Sequence, residues 1–326
     1  MKFSNFLQTL SFLQKNLVYT IPVAMIFGIL FGNFFDTNFL GVFIFPLTFL
    51  MIFPQMVNLK TSTLFKKPNA NLKVVSLILN FILLPIFAFV LGKIFFASDP
   101  LDALGLLLIA LLPTGSMTIA YTGITKGNLP AAIRISIFSL FLAVIVTPLY
   151  LYFLGGENIE IDLFLVVKKI FLIILVPLFL GTVVRYFVVK NVGEENYKKK
   201  FGSKIGKFSV LGVLGMVFSV MAMKSVFILS HLEQSLYSLI PLFIFYTVAF
   251  GISTIIGKLY FSKKDALALV FSVSLRHLAI ALAVAVSAFG ENGLHIALTI
   301  SLAFVFQVKL GAIYAKYADK IFENKQ

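Results

Sequence analysis

The sequence predicts an all-α integral membrane protein of ten transmembrane helices, arranged as two inverted five-helix repeats in which helices 4 and 9 are interrupted. Three observations carry this expectation. Of 326 residues, 60% are hydrophobic and only 12% charged, with a mean hydropathy of +1.02, far too apolar for a soluble chain of this length. Apolar runs of about 20 residues, enough to cross a ~30 Å hydrocarbon layer as a helix, recur along the whole chain. The fourth run is broken near its middle by Pro113 and Gly115.

The runs are Leu17 to Phe35, Phe39 to Val57, Val74 to Phe96, Ala103 to Thr125, Ala131 to Phe153, Leu163 to Phe187, Phe208 to Leu229, Ser235 to Gly257, Ala266 to Phe289 and Gly293 to Tyr317. Residues 1–16 carry Lys2 and Lys15 but are followed by no small-residue cleavage site, which predicts a retained helix and not a signal peptide. The charges orient the spans. Segments on the N-terminal side hold Lys60, Lys66, Lys67, Lys73, Lys126, the cluster from Arg185 to Lys207, the stretch Lys258 to Lys264, and Lys316, Lys320 and Lys325. Opposite segments hold Asp36, Asp99, Asp102, Glu157, Glu160, Asp162, Glu233 and Glu291, with Lys93, Lys168, Lys169 and Lys224 as their basic residues. The positive-inside rule then predicts a multi-pass protein of the cytoplasmic (inner) membrane with both termini cytoplasmic. The net charge of +14 is absorbed by this asymmetry, and no nucleic-acid partner is expected; the partner is the lipid bilayer.

The acidic loop 155–162 divides the spans five and five, into a first repeat of residues 1–154 and a second of residues 155–326. An odd number of spans per half gives the halves opposite membrane topology, the inverted-repeat plan of many secondary transporters. A short internal match supports it: Gly127-Asn128-Leu129 corresponds to Asn292-Gly293-Leu294, and Ile135-Ser136 to Ile300-Ser301.

In span four, Leu111-Leu112-Pro113-Thr114-Gly115-Ser116-Met117-Thr118 removes a backbone donor and weakens the helix in one place. Freed carbonyls in hydrocarbon cost several kcal/mol unless protein, water or a ligand satisfies them, and broken helices are where transporters place their binding sites. The hydroxyls of Thr114, Ser116 and Thr118 flank the break, positioned to cap a second half-helix whose N-terminal end carries partial positive charge. A structural proline kink is the plainer reading. The corresponding stretch of span nine, Ser272-Val273-Ser274-Leu275-Arg276-His277, has no Pro or Gly but two hydroxyls and two ionisable groups. Arg276 lies roughly 15 Å from either end of its span, too deep to snorkel with ease, and stays charged. All Asp and Glu fall in loops or at span ends, so an anionic substrate is its simplest partner, with a set of carbonyls or a water-filled cavity as the alternative. His277 is a candidate proton-coupling group or a neutral hydrogen-bonding imidazole. Lys309, near Gln307 in span ten, either binds an anion or snorkels to the interface. Asn80, Ser136, Ser139 and Thr147 are polar span residues that support the site or link helices, and the 38 Phe are lipid-facing and packing surface.

Other chemistries are excluded by what is missing. There is no Cys, hence no disulfide, thiolate ligand or cysteine nucleophile, and the His, at 231, 277 and 295, are too few for a histidine metal cluster; no metal and no cofactor are expected. No G-x-x-x-x-G-K-[ST] loop and no intramembrane carboxylate pair occur, so neither an ATP-driven pump nor a membrane hydrolase is expected. The chain is read as a transporter and not an enzyme; a membrane sensor or a channel is the rival class.

Met51-Ile52-Phe53-Pro54-Gln55-Met56, Leu77-Ile78-Leu79-Asn80, Pro113-Thr114-Gly115-Ser116 through Gly127-Asn128, and Leu278-Ala279-Ile280-Ala281 through Phe289-Gly290 resemble the bile acid:sodium symporter and arsenite permease superfamily, in pattern its arsenite permease branch. The resemblance implies a core domain of spans three to five and eight to ten, a panel of spans one, two, six and seven, and broken helices 4 and 9 crossing at the substrate. Where that branch carries Cys and Glu, this chain has Thr114 and His277; where sodium symporters place their ion-binding Asn, acid and Gln, it has Ile119, Val270 and Ser274.

The combined expectation is a secondary active transporter of a small organic anion, alternating access without sodium coupling, as monomer or homodimer. A sodium-coupled bile acid or organic anion symporter and an arsenite or organic acid efflux permease are the alternatives, and proton or sodium coupling both stay open. Pro113, Thr114, Gly115, Ser116, Thr118, Ser272, Ser274, Arg276, His277 and Lys309 are the expected substrate-binding residues, with Asn80, Ser136, Ser139 and Gln307 in support. Sodium is disfavoured because a guanidinium at about 6 Å repels it by roughly 3 kcal/mol at an effective dielectric of 20.

Overall fold

The apolar runs become helices throughout the computed structural model, which describes residues 2–59, 70–154 and 163–323. The acidic loop 155–162, and with it Lys60, Lys66, Lys67 and Lys325 among the orienting charges, lie outside the described residues. Among the described residues there is no β-strand, and eight helical runs are long and apolar enough to cross a membrane. Two expected spans are each split into a pair of short helices. The chain forms an all-α integral membrane protein and divides into two compact units, Met1–Lys60 with Lys169–Leu232, and Thr61–Lys168 with Glu233–Gln326. Each unit therefore draws on both halves of the sequence.

The first unit contains α1 (Lys2–Lys15), α2 (Leu17–Phe34), α3 (Leu40–Asn58), most of α9 (Leu163–Val192), the short α10 (Glu194–Asn196), α11 (Ser203–Met223) and α12 (Ser225–Ser230). Lys2–Lys15 form a helix of their own, because Leu7 and Leu10 find a buried partner in Val210 of α11. The run expected over Phe208 to Leu229 ends early, at Met223, and restarts at Ser225. Arg185 closes a 2.7 Å ion pair with Glu194 and lies 4.5 Å from the Tyr197 ring, whose hydroxyl donates to the Val57 carbonyl at 2.8 Å.

The second unit contains α4 (Ala70–Ile78), a π-helical segment (Leu79–Leu83) and α5 (Leu84–Phe95), then α6 (Pro100–Leu111), α7 (Ser116–Ile124) and α8 (Leu129–Leu154). Its second portion holds α13 (Leu232–Tyr237), α14 (Leu239–Tyr260), α15 (Lys263–Ser274), α16 (Leu278–Ala288) and α17 (Gly293–Ile321). The order recurs: a long span, a pair of short helices, a long span. Both first half-helices start at a side-chain cap. Asp99 accepts from Leu101 and Asp102 N–H with Pro100 at the first helical position of α6, and Ser262 accepts from Asp265 N–H at α15. Outward apolar side chains such as Phe153 in α8 and Ile255 in α14 are exposed, the surface a bilayer covers.

Candidate transport site at two helix breaks

Pro113 has no N–H, so the Ile109 carbonyl four residues back has no helical donor, and α6 ends at Leu111. The next carbonyls are orphaned with it, and in an apolar interior each needs a partner. Arg276 supplies two. Its Nε donates to Ile109 O at 3.2 Å and its Nη2 to Ala110 O. Thr147 Oγ1 reaches Leu111 O at 3.4 Å, and the His277 N–H donates to Leu112 O at 2.7 Å. All four last carbonyls of the broken helix thus end on donors from other elements.

The second break is served the same way. Arg276 Nη1 donates to Val273 O at 2.8 Å, Asn80 Nδ2 to Ser272 O at 3.1 Å, Thr118 Oγ1 to Phe271 O at 3.0 Å, and the Thr114 N–H to Leu275 O at 3.1 Å. The two extended stretches run past each other as an isolated antiparallel bridge between Pro113 and Arg276. Thr114 sits at φ +58°, a left-handed conformation costly for a β-branched residue, with its hydroxyl turned onto Pro113 O at 2.8 Å.

Arg276 is almost wholly buried at 1% exposure. Nη1 also donates to Asn80 Oδ1 at 2.6 Å, so the hydrogen bonds of the guanidinium end on protein oxygens and none on an acid. Asn80 lies in the π-helical segment of span three, where the extra residue per turn turns its amide toward the break. Gln307 of α17 accepts from the Arg276 N–H at 2.6 Å and from Tyr246 Oη at 3.2 Å, and its amide nitrogen faces Met117 Sδ at 3.8 Å.

The expected residues mostly gather here. Pro113, Thr114, Gly115, Thr118, Ser272, Ser274, Arg276, His277, Asn80 and Gln307 meet at the two breaks, Ser274 pairing its hydroxyl with Ser253 at 3.2 Å. The hydroxyls do not cap α7: Thr114 and Thr118 turn to carbonyls, Ser116 is exposed, and the residue at the α7 N-cap is Gly115, which offers no side chain. His277 caps α16, its Nδ1 accepting from Ile280 N–H at 3.4 Å. Ser136 joins the cluster through its carbonyl, a long 3.5 Å acceptor for Thr114 Oγ1, while the hydroxyls of Ser136, Ser139 and Ser272 are buried without a hydrogen-bond partner. Lys309 is exposed on α17 and makes none of the bonds at the breaks. Tyr246 is the site residue that sequence reasoning misses. Its position in the middle of the apolar run Ser235 to Gly257 is the signal that could have found it, since buried Tyr hydroxyls seek partners.

Residues 45–231 match the model of the Sodium Bile acid symporter family. The chain is 25% identical to the Arsenical-resistance protein Acr3 of Corynebacterium glutamicum, over 97% of this chain and 92% of that one. It is 24% identical to the Acr3 of Alkaliphilus metalliredigens, over 76% and 72%. A protein of Bacillus subtilis, YbaS, is 24% identical over 75% of this chain and 77% of its own.

Proposed function

The chain belongs to the Sodium Bile acid symporter family of membrane transporters, and from that premise we propose that it is a secondary transporter of a small organic anion, working by alternating access without sodium coupling. The observation that carries the reading is the set of bonds made by Arg276. A sodium ion needs about five or six oxygens, and the oxygens that a break in a helix makes available are its orphaned carbonyls. Ile109, Ala110, Leu112, Val273 and Leu275 already accept from N–H groups of the chain, three of them from the guanidinium. Arg276 is thereby a built-in cation, joining the C-terminal end of α6 to that of α15.

The same arrangement favours an anion as substrate. Each helix end carries about half a unit charge, negative at the C-terminus and positive at the N-terminus. The C-terminal ends of α6 and α15 offset the guanidinium between them. The N-terminal ends of α7 and α16 meet no such charge; α7 has no side-chain cap and exposes Ser116, α16 is capped by the His277 imidazole alone, and among the described residues no acid is bonded at the breaks. The expected substrate-binding set is accordingly weighted to Gly115, Ser116 and His277, with Arg276, Asn80 and Gln307 holding the breaks together. Ten spans, counting each broken pair as one, in two inverted repeats, fit the recurring element order.

Proteoliposome uptake tests the reading. Saturable uptake of a carboxylate or bile salt, equal in sodium and choline buffers, is expected. A steep sodium dependence overturns the built-in cation, and transport confined to neutral solutes overturns the anion. Arsenite is a required arm, because two relatives are named for arsenical resistance; a chain without Cys lacks the soft thiolate donors that such an oxyanion would be expected to need.

A further inference from the structure

Asp99 and Asp102 stand one turn apart at the start of α6, which puts both carboxylates on one face. His295 lies in the first turn of α17. Gly105 lets the two helices approach there, since a Cβ on it would come within 2.9 Å of Thr299 Cβ. The result is a mixed donor set: His295 Nε2 is 3.2 Å from Asp99 Oδ2 and 3.7 Å from Asp102 Oδ1, and one donor atom from each residue lies within 4.8 Å of the others. We propose that Asp99, Asp102 and His295 form a binding site for a divalent transition-metal ion of the zinc class.

The spacing fits. A tetrahedral ion with bonds of about 2.1 Å has ligand-to-ligand edges of roughly 3.4 Å, close to both separations. Two carboxylates neutralise a divalent charge, and three protein donors leave a fourth position for water. Each carboxylate is also held from behind on its remaining lone pairs: Gln234 Nε2 donates to Asp99 Oδ2 at 2.8 Å, Ser238 Oγ to Asp102 Oδ2 at 3.1 Å, and Thr299 Oγ1 to Asp102 Oδ1. Such outer hydrogen bonds fix the orientation of metal ligands. Magnesium and calcium call for six or more oxygens and fit less well than an ion that accepts imidazole. The site lies wholly within the second unit and is distinct from the helix breaks.

The test uses full-length protein purified on a tag without histidine, stripped with EDTA and dialysed. Zinc is titrated by calorimetry, and thermal unfolding is followed by far-ultraviolet circular dichroism, since the chain has neither Trp nor Cys for the usual dye and fluorescence methods. Expected are one saturable site that excess magnesium does not displace, a melting temperature raised by several degrees at saturation, and at least about tenfold weaker binding in His295→Gln. His231→Gln, remote in sequence and bonded to Ser230, should keep both effects. Absence of saturable binding, or binding by His295→Gln equal to the parent, overturns the proposal and leaves the imidazole as a counter-ion only. Should His295→Gln fail to fold, Asp99→Asn is judged by the same titration. Neither readout depends on transport, so the result stands apart from that of the uptake assay.

Discussion

Arg276 concentrates more of the site's polar bonding than any other side chain, and its replacement leaves several groups stranded at once. Arg276→Met removes donors from Ile109 O, Ala110 O, Val273 O and Asn80 Oδ1, and each unsatisfied buried acceptor costs about 1–3 kcal/mol. The variant should lose several degrees of melting temperature and nearly all uptake. Arg276→Lys keeps the charge but presents its donors from one point without the planar fork; it should fall between the two, and equal stability of Lys and Arg would show that charge alone matters. Thr114 tests the opposite sign. At φ +58° glycine is unstrained, and Thr114→Gly should change stability by no more than about 1 kcal/mol, since the relieved strain offsets the lost hydroxyl contact. A larger loss in circular dichroism melts would place the importance of Thr114 in its hydroxyl.

At the scale of helices, the break in span four is a competition for the Ile109 carbonyl. Pro113→Ala supplies the N–H that proline lacks, so α6 gains a native helical bond and Arg276 loses an acceptor. We expect stability to hold or rise while uptake falls at least about tenfold, equivalent to ~1.4 kcal/mol; unchanged uptake would mean that the break does not need proline. Helix packing gives a second expectation. Gly105→Ala puts a methyl 2.9 Å from Thr299 Cβ and 3.0 Å from Ile296 O, and overpacking of this kind costs typically 1–3 kcal/mol. The loss should appear as lowered melting temperature, whereas Gly41→Ala, with open space around it, should show none.

For the whole molecule, the charge asymmetry makes a prediction about sidedness that the absence of Cys renders easy to test. Asn38→Cys and Ser98→Cys, both at exposed positions between spans, should react with an impermeant maleimide in intact cells. Lys190→Cys and Lys320→Cys, exposed in basic segments, should react only after permeabilisation. Labelling of the second pair in intact cells would reverse the orientation.

Composition and apolar run length determined that this chain is helical and membrane-embedded, because hydrocarbon leaves a spanning backbone few ways to satisfy its own polar groups. Pro113 fixed the place of the first break for the same local reason, and the unpaired Arg276 marked the second. What the sequence left open was where the guanidinium points: an anion was the simplest partner for a lone buried charge, with a carbonyl set or a wet cavity as the alternatives. That was decided by elements distant in the chain, since Ile109, Ala110 and Asn80 come to Arg276 only when α6, the π-helical segment and α15 pack together. Lys309 and Gln307 make the same point. They are two residues apart on α17, and helical geometry turns one inward to the Arg276 N–H and leaves the other exposed. The Asp99, Asp102 and His295 cluster was hidden altogether, because counting His and reading acids as loop charges says nothing about which of them the packing of α6 on α17 brings within a few ångströms.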